Sequence, residues 1–188
     1  MKTENRDATS TLLMDKLVEL SKTKPLRKIT LSELLSEAGV SRSAFTKRFL
    51  DMQDVINSIL STRIIHNSWE GMTTSKDDYY LACVISFRRM LAYKEFILQA
   101  FKMDGQNNMF SYLTELSYEN ELGLLARMPG LELSEEDRMF FAHYHSEGCS
   151  SAVRFWLEQK ENQLSTETFA ASITEARFGA LKGLIDKS

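Results

Sequence analysis

The sequence predicts an all-α protein. It holds only 8 glycines and 2 prolines in 188 residues. Apolar side chains recur every three or four positions over long stretches, and no run alternates apolar with polar as a half-buried strand would. Glycine and proline punctuate a chain, so their scarcity favours few, long helices. Hydrophobic residues make up 43% and charged residues 26%, the balance of a globular chain with a buried core. About nine helices are expected, in two parts: an N-terminal three-helix domain over residues 1–50 and a larger helical domain over 51–188.

A polar start, Met1 to Asp7, precedes the first helix, whose stripe is Leu12, Leu13, Leu17, Val18 and Leu20. Lys24-Pro25 ends it near Ser21–Lys24, because proline clashes with the turn before it. Ile29 to Phe49 then reads as two short helices around a tight turn. Thr30 can cap the first, with Glu33 three residues on completing a capping box. Leu31, Leu34, Leu35 and Ala38 follow at helical spacing, and Gly39 supplies the left-handed stop. Val40 plugs the space between the helices, and Ser41 caps the second. Ala44, Phe45 and Phe49 form its apolar side, while Arg42, Ser43, Thr46, Lys47 and Arg48 form a basic, hydroxyl-bearing side. Insertion into a DNA major groove asks for such a helix. Charge points the same way: residues 1–50 hold 10 Lys/Arg against 6 Asp/Glu, and the remainder 13 against 20.

Asp51 and Asp54 suit the start of a fourth helix, since carboxylates favour helix N-termini. Val55, Ile56, Ile59, Leu60, Ile64 and Trp69 carry it to about Glu70, before a polar break at Gly71–Ser75. Five more helices are expected. One spans Lys76–Tyr93 with Leu81, Val84, Ile85 and Met90 inward. A short one spans Glu95–Lys102 and is broken by Asp104-Gly105. A third spans Gln106–Arg127 with Met109, Phe110, Leu113, Leu116 and Leu124 recurring. After the Met128-Pro-Gly130 turn, Ser134 and the run Glu135-Glu136-Asp137 start a helix that ends near Lys160. The last begins at Ser165 or Thr166 and ends near Ile185. Its small residues, Ala170, Ala171, Ala176, Gly179, Ala180 and Gly183, permit close helix approach. With the aromatic-rich helix before it, they suit a four-helix interface between two copies.

Catalysis finds little support. His143 and His145 are two apart, so on a helix they face different ways and cannot share a metal. Ser146-Glu147 beside His145 forms no triad, and no glycine-rich phosphate loop occurs. The sequence points to no catalytic residue, no metal and no cofactor. His145 or Tyr144 reads either as a pocket-lining residue or as a satisfied polar group near a subunit interface. Arg88-Arg89 reads as an exposed pair as readily as an anion clamp. Cys83 and Cys149 lack CxxC spacing and read as free thiols or as one bridge. No apolar run has membrane-spanning length, and no export signal opens the chain, which points to a cytoplasmic protein without a membrane partner.

Over residues 9–60 the arrangement resembles the TetR/AcrR family of bacterial transcriptional regulators. The resemblance rests on the apolar first helix, Ile29-Thr30-Leu31, Leu34-Leu35, Glu37-Ala38-Gly39-Val40-Ser41, Phe45, Arg48-Phe49 and Asp54-Val55. Lys24–Phe49 is similar in particular to the branch of the dihydroxyacetone-kinase regulator. Beyond residue 60 it rests on helix count and length, Gly148 and Arg154-Phe155-Trp156-Leu157-Glu158. The resemblance implies a ligand-responsive regulator, a repressor by expectation, binding a two-fold double-stranded DNA operator as a homodimer. It places Thr30 at a phosphate, and Arg42, Ser43 and Ala44 at base edges. Ser41, Thr46, Lys47 and Arg48 complete the DNA-binding set. It implies an effector pocket for a small, apolar molecule, with Phe87, Met90, Met109, Phe110, Leu113, Phe141 and Tyr144 as lining candidates. Val153, Trp156, Phe169, Ile173, Ala176 and Ala180 are the candidates for the dimer interface. Two positions depart from the family pattern: Thr46 stands where a tyrosine is usual, and Met52 where a lysine is usual. They leave open an alternative, a fold-retaining co-regulator or protein-interaction module with weakened or lost DNA binding.

Overall fold

The computed structural model describes residues 8–65, 74–103, 105, 108–160 and 164–186. Among them run nine α-helices and no strand. These are α1 (Ala8–Ser21), α2 (Leu31–Ala38), α3 (Arg42–Thr46), α4 (Met52–Ile59), α5 (Lys76–Ala92), α6 (Lys94–Ala100), α7 (Met109–Ala126), α8 (Glu135–Glu158) and α9 (Thr166–Ile185). The all-α expectation and the helix count hold. Trp69, Glu70, Gly71, Asp104, Gln106 and His66 lie outside the described residues.

Helix starts follow the cap chemistry of the sequence. Ser75, Asn108, Ser134 and Ser165 each accept, through a side-chain oxygen, the backbone N–H three residues on. Asp51 Oδ1 accepts from the Asp54 N–H at 2.9 Å, and Asp54 Oδ2 accepts from the Leu50 N–H at 3.0 Å, a reciprocal box at the head of α4. Gly39 ends α2 at φ 63°, the left-handed region that favours glycine. After Ile59, α4 widens into a π-helical turn over Leu60–Ile64, closed by Ile65 N–H to Leu60 C=O at 3.0 Å.

α1 packs on α2 and α4. Gln99 of α6 ties this N-terminal part to the rest: it accepts from the Leu26 N–H at 2.7 Å and donates to the Ser21 carbonyl at 3.1 Å. One apolar core runs from Leu13 and Leu17 through Phe45, Ile56 and Ile97 to Trp156 and Phe169. In the larger part α5 lies on α9 and α7 on α8. Two side-chain expectations on α5 are corrected. Leu81 and Ile85 are not inward but 49% and 41% exposed. The buried stripe is Tyr79, Ala82, Cys83, Ser86, Phe87 and Met90, because α5 faces α9 on one side and a cavity on the next. Leu12 on α1 is likewise exposed.

The two helix pairs are joined by a buried ion pair that the sequence pattern alone did not single out. Arg177 of α9 donates from Nε to both Glu121 oxygens at 3.0 Å and from Nη2 to Oε1 at 2.6 Å. Their side chains are 2% and 3% exposed. The guanidinium also lies 4.6 Å from the Tyr79 ring centroid and 4.8 Å from that of Phe178. Removing one partner strands the other charge in a dry interior. Glu121→Ala is therefore expected to lose about 3–5 kcal/mol in urea unfolding, and the paired exchange Glu121→Leu with Arg177→Met far less. Equal losses for the single and paired variants would show that the charges do not act as a unit.

Candidate functional site

Two regions concentrate chemistry. The first is the turn between α2 and α3. Thr30 Oγ1 accepts the Glu33 N–H and Ser41 Oγ accepts the Ala44 N–H, both at 3.2 Å. A capping hydroxyl accepts with its oxygen and keeps its proton to donate outward. The Glu33 carboxyl is held below its usual range by Lys24, whose ammonium sits 2.6 Å away, and then by the Thr30 N–H. Phe45 and Phe49 are buried with ring centroids 5.7 Å apart, which fixes the opposite side of α3 outward. Thr30, Ser41, Arg42, Ser43, Thr46 and Lys47 are exposed, and Ala44 and Arg48 half-buried. No ion pair among the described residues takes Arg42 or Lys47.

α3 is shorter than the expected Ser41–Phe49. It ends at Thr46, because the Phe45 carbonyl takes both the Arg48 and Phe49 N–H groups in a tight final turn. Arg48 folds back to donate from Nη1 to the Ala44 carbonyl at 2.7 Å, so its charge caps its own helix. Thr46 turns its hydroxyl proton to the Ser43 carbonyl at 3.3 Å, and Met52 packs on the core.

The second region is a cavity of about 60 Å³ among α5, α7 and α8. Ile65, Phe87, Met90, Leu113, Leu124 and Val153 form its apolar wall. A polar wall carries Tyr79, Ser86, Asn120, Glu121, His145 and Ser150, with Cys83 and Cys149 between. Both thiols are free. Burial pushes the Tyr79 phenol and the Cys83 thiol well above their ordinary values and the Cys149 thiol up to about 12. Burial lowers the His145 imidazole below its usual value, against the pull of Glu121. His145 Nε2 shares a hydrogen bond with the Tyr79 hydroxyl at 2.8 Å. Its 3.8 Å approach to Glu121 is not an ion pair while the ring is neutral.

Of the seven lining candidates, Phe87, Met90 and Leu113 reach this cavity. Met109 and Phe141 are buried elsewhere: Met109 seals the core at the start of α7, and Phe141 stacks against the His145 ring at 5.9 Å. Phe110 lines a separate groove between α7 and α8, and Tyr144 is 63% exposed, because α8 turns it away from the interior. Tyr79, Ser86, Asn120, Glu121, Cys149 and Ser150 were missed; their positions at helical spacing within apolar stripes were the available signal. Four interface candidates are also corrected in place. Val153, Trp156, Phe169 and Ile173 are buried within the chain, where Trp156 stacks on Phe169 at 4.7 Å and donates to the Leu164 carbonyl at 2.8 Å. Ala176 is exposed and Ala180 half-buried.

Among the described residues no helix is long and apolar enough to cross a membrane, and no three His, Cys, Asp or Glu side chains gather as metal ligands would.

Comparison with known proteins adds family and fold. The family model described as a transcriptional regulator C-terminal region, of the TetR type, matches residues 77–176, more than half of the chain. No curated protein sequence matches. Among solved structures, the dihydroxyacetone kinase operon activator DhaS superposes with a TM-score of 0.63 at 13% identity, covering 94% of this chain and 98% of its own. The fatty acid degradation regulator FadR from Bacillus halodurans gives 0.62 at 13% identity, covering 95% and 98%. A protein of unknown function from Rhodococcus sp. RHA1 gives 0.51 at 13% identity, covering 98% and 99%. At such identities the likeness concerns the fold.

The lowered His145 value sets a pH dependence. The unfolded chain takes up this proton near 6.5, and the folded chain resists until lower pH. Below that point the unfolded state binds more protons, so stability falls as pH falls. Thermal melts from about pH 7.5 to about pH 5.5 should show a steeper loss for the native chain than for His145→Asn. Parallel slopes would remove His145 from the explanation.

Proposed function

The chain belongs to the TetR-type transcriptional regulators, and from that premise we propose that it is a homodimeric, ligand-responsive DNA-binding repressor. The observation that carries the reading is the pair of hydroxyl-capped helix starts at Thr30 and Ser41 beside exposed Arg42 and Lys47, cations that no ion pair among the described residues takes. Residues 1–50 act as the reading head and 51–188 as the effector-binding and dimerisation domain. Each subunit inserts α3 into a major groove of double-stranded DNA, with half-sites about one helical turn or slightly more apart. Arg42, Ser43 and Ala44 face base edges; Thr30, Ser41 and Lys47 face the backbone, with Thr46 and Arg48 beside them. A small, apolar effector in the α5–α7–α8 cavity shifts the dimer between binding-competent and splayed arrangements.

Dimerisation is supported by what α8 and α9 leave uncovered. Phe140 and Tyr144, stacked at 6.3 Å, and Phe155 stand exposed on α8. Ser172, Ala176, Gly179 and Gly183 line the exposed side of α9. Large rings on one helix and small residues on another suit a close-packed interface between two copies.

A second reading has specific support. Met52 is engaged with the core and Thr46 with its own helix, so neither reaches for a phosphate as the usual lysine and tyrosine would. A fold-retaining co-regulator that acts through protein contacts would keep the fold and tolerate these losses.

A genomic-fragment selection at low salt is expected to recover a two-fold site. On that site Arg42→Ala should weaken binding by about 1–3 kcal/mol, and Lys47→Ala should lower the salt slope by about one unit per half-site. Recovery of no DNA above background, with Arg42→Ala functionally silent, would favour the co-regulator. In sedimentation, Phe155→Glu should yield monomers where the native chain sediments as a dimer; an unchanged dimer would place the interface elsewhere.

A further inference from the structure

Four hydroxyls on these helices return their proton to a backbone carbonyl one turn back. Ser146 donates to the His143 carbonyl at 2.9 Å, Thr174 to Ala170 at 2.8 Å, Thr114 to Phe110 at 3.2 Å and Ser172 to Thr168 at 3.0 Å. Two serines break this habit. Ser86 on α5 and Ser150 on α8 have no hydrogen-bond partner, though they are only 3% and 1% exposed. Both stand on the wall of the same cavity. A buried hydroxyl without a partner is costly, and two in one cavity mark where an absent polar group belongs.

The charge around them is closed. Glu121 accepts three hydrogen bonds from Arg177, and the rings of Tyr79 and Phe178 lie against the guanidinium. His145, Tyr79 and both thiols are held in their neutral forms by burial. An ionised ligand would enter a largely buried cavity with no unspent countercharge among the described residues, which is strongly unfavourable. The remaining wall is apolar: Ile65, Phe87, Met90, Leu113, Leu124 and Val153.

We propose that the cavity takes an uncharged, amphiphilic small molecule, with an apolar body and a hydroxyl, carbonyl or amide group that satisfies Ser86 and Ser150. This rests on the reading of the cavity as the effector site and names the class of effector. The apolar body covers Phe87, Met90 and Leu113. The polar group accepts from the two serine hydroxyls, and the Glu121–Arg177 pair stays intact throughout.

The test uses the full chain and three probes of one length: hexanamide, hexanoate and hexylammonium, titrated by calorimetry near neutral pH. Hexanamide is expected to bind at least tenfold more tightly than either ion. The Ser86→Ala/Ser150→Ala double variant should bind hexanamide at least tenfold more weakly. The same variant should melt about 2–4 °C higher than the native chain without ligand, because it removes two unsatisfied groups. A merely structural role for the serines does not produce these opposite effects together. An ion that binds as tightly as the amide, a double variant with undiminished affinity, or no binding by any probe would each overturn the proposal. Selective amide binding with no DNA recovered in the genomic selection would leave the ligand class standing and remove the regulator reading. A recovered operator with ions bound as tightly as the amide would do the reverse.

Discussion

The larger part of this protein depends on one interaction, the buried Glu121–Arg177 pair. α7 lies with α8 and α5 with α9. The pair links α7 to α9, and so one helix couple to the other. Arg177 is fixed by two kinds of force. Its bonds to the Glu121 oxygens set its plane, and the Tyr79 and Phe178 rings accept its faces. Tyr79 then shares a hydrogen bond with His145, which stacks on Phe141. A charge in the interior has thus ordered a line of aromatic residues across three helices. The arrangement also makes the cavity electrically quiet, since the formal charges of the described residues near its wall cancel locally.

The N-terminal part uses a different economy. α2 and α3 are too short to be stable alone, so their ends must be satisfied locally and their apolar sides covered. Thr30, Ser41 and Gly39 do the first; Leu34, Phe45 and Phe49 do the second. Burying both phenylalanines turns Arg42, Ser43 and Lys47 outward with little freedom to do otherwise. One continuous helical segment then leads from the Asp51 cap beside α3, through α4 and its π-helical turn, to Ile65 on the cavity wall. The exposed face of α3 and the cavity are joined by that segment and by the Gln99 clamp. A wider turn inserted into such a connector shifts the register of the residues beyond it, and here it brings Ile64 and Ile65 inward together.

The range of the forces decides how much of this was legible in the sequence. Caps act over three residues, so Thr30, Ser41, Asp51, Ser134 and Ser165 could be read from the chain with the helix starts they set. The end of α3 was not legible, because Arg48 folding onto Ala44 competes with one more helical turn and local pattern does not rank the two. Side-chain direction on α5 failed for a related reason. Leu81 and Ile85 are as apolar as the residues actually buried, and only packing on α9 selects the Tyr79–Cys83–Phe87 register. The cavity was half legible. Phe87, Met90 and Leu113 sit on apolar stripes, whereas Ser86, Asn120 and Ser150 look like ordinary surface residues unless the stripe's phase is known. Glu121 and Arg177 did carry a signal: each falls one helical turn from apolar partners, Glu121 before Leu124 and Leu125 and Arg177 between Ile173 and Leu181. Two opposite charges at buried phases of two long helices imply a pair, since neither could be buried alone.

The same logic of phase explains why the interface candidates on α8 fell on its buried side. Trp156 and Val153 are large apolar residues near its end, and a search for contact surface favours them. Yet a tryptophan with its N–H bonded to Leu164 and its ring on Phe169 is fully engaged inside the chain. What α8 leaves over is Phe140, Tyr144 and Phe155, three rings that no core residue covers. α8 thus carries aromatic residues on two faces, and among the described residues the core covers one of them. The exposed side of α9 carries small residues instead. The buried and exposed faces of α8 are therefore separate selections on one helix, and burial is what tells them apart.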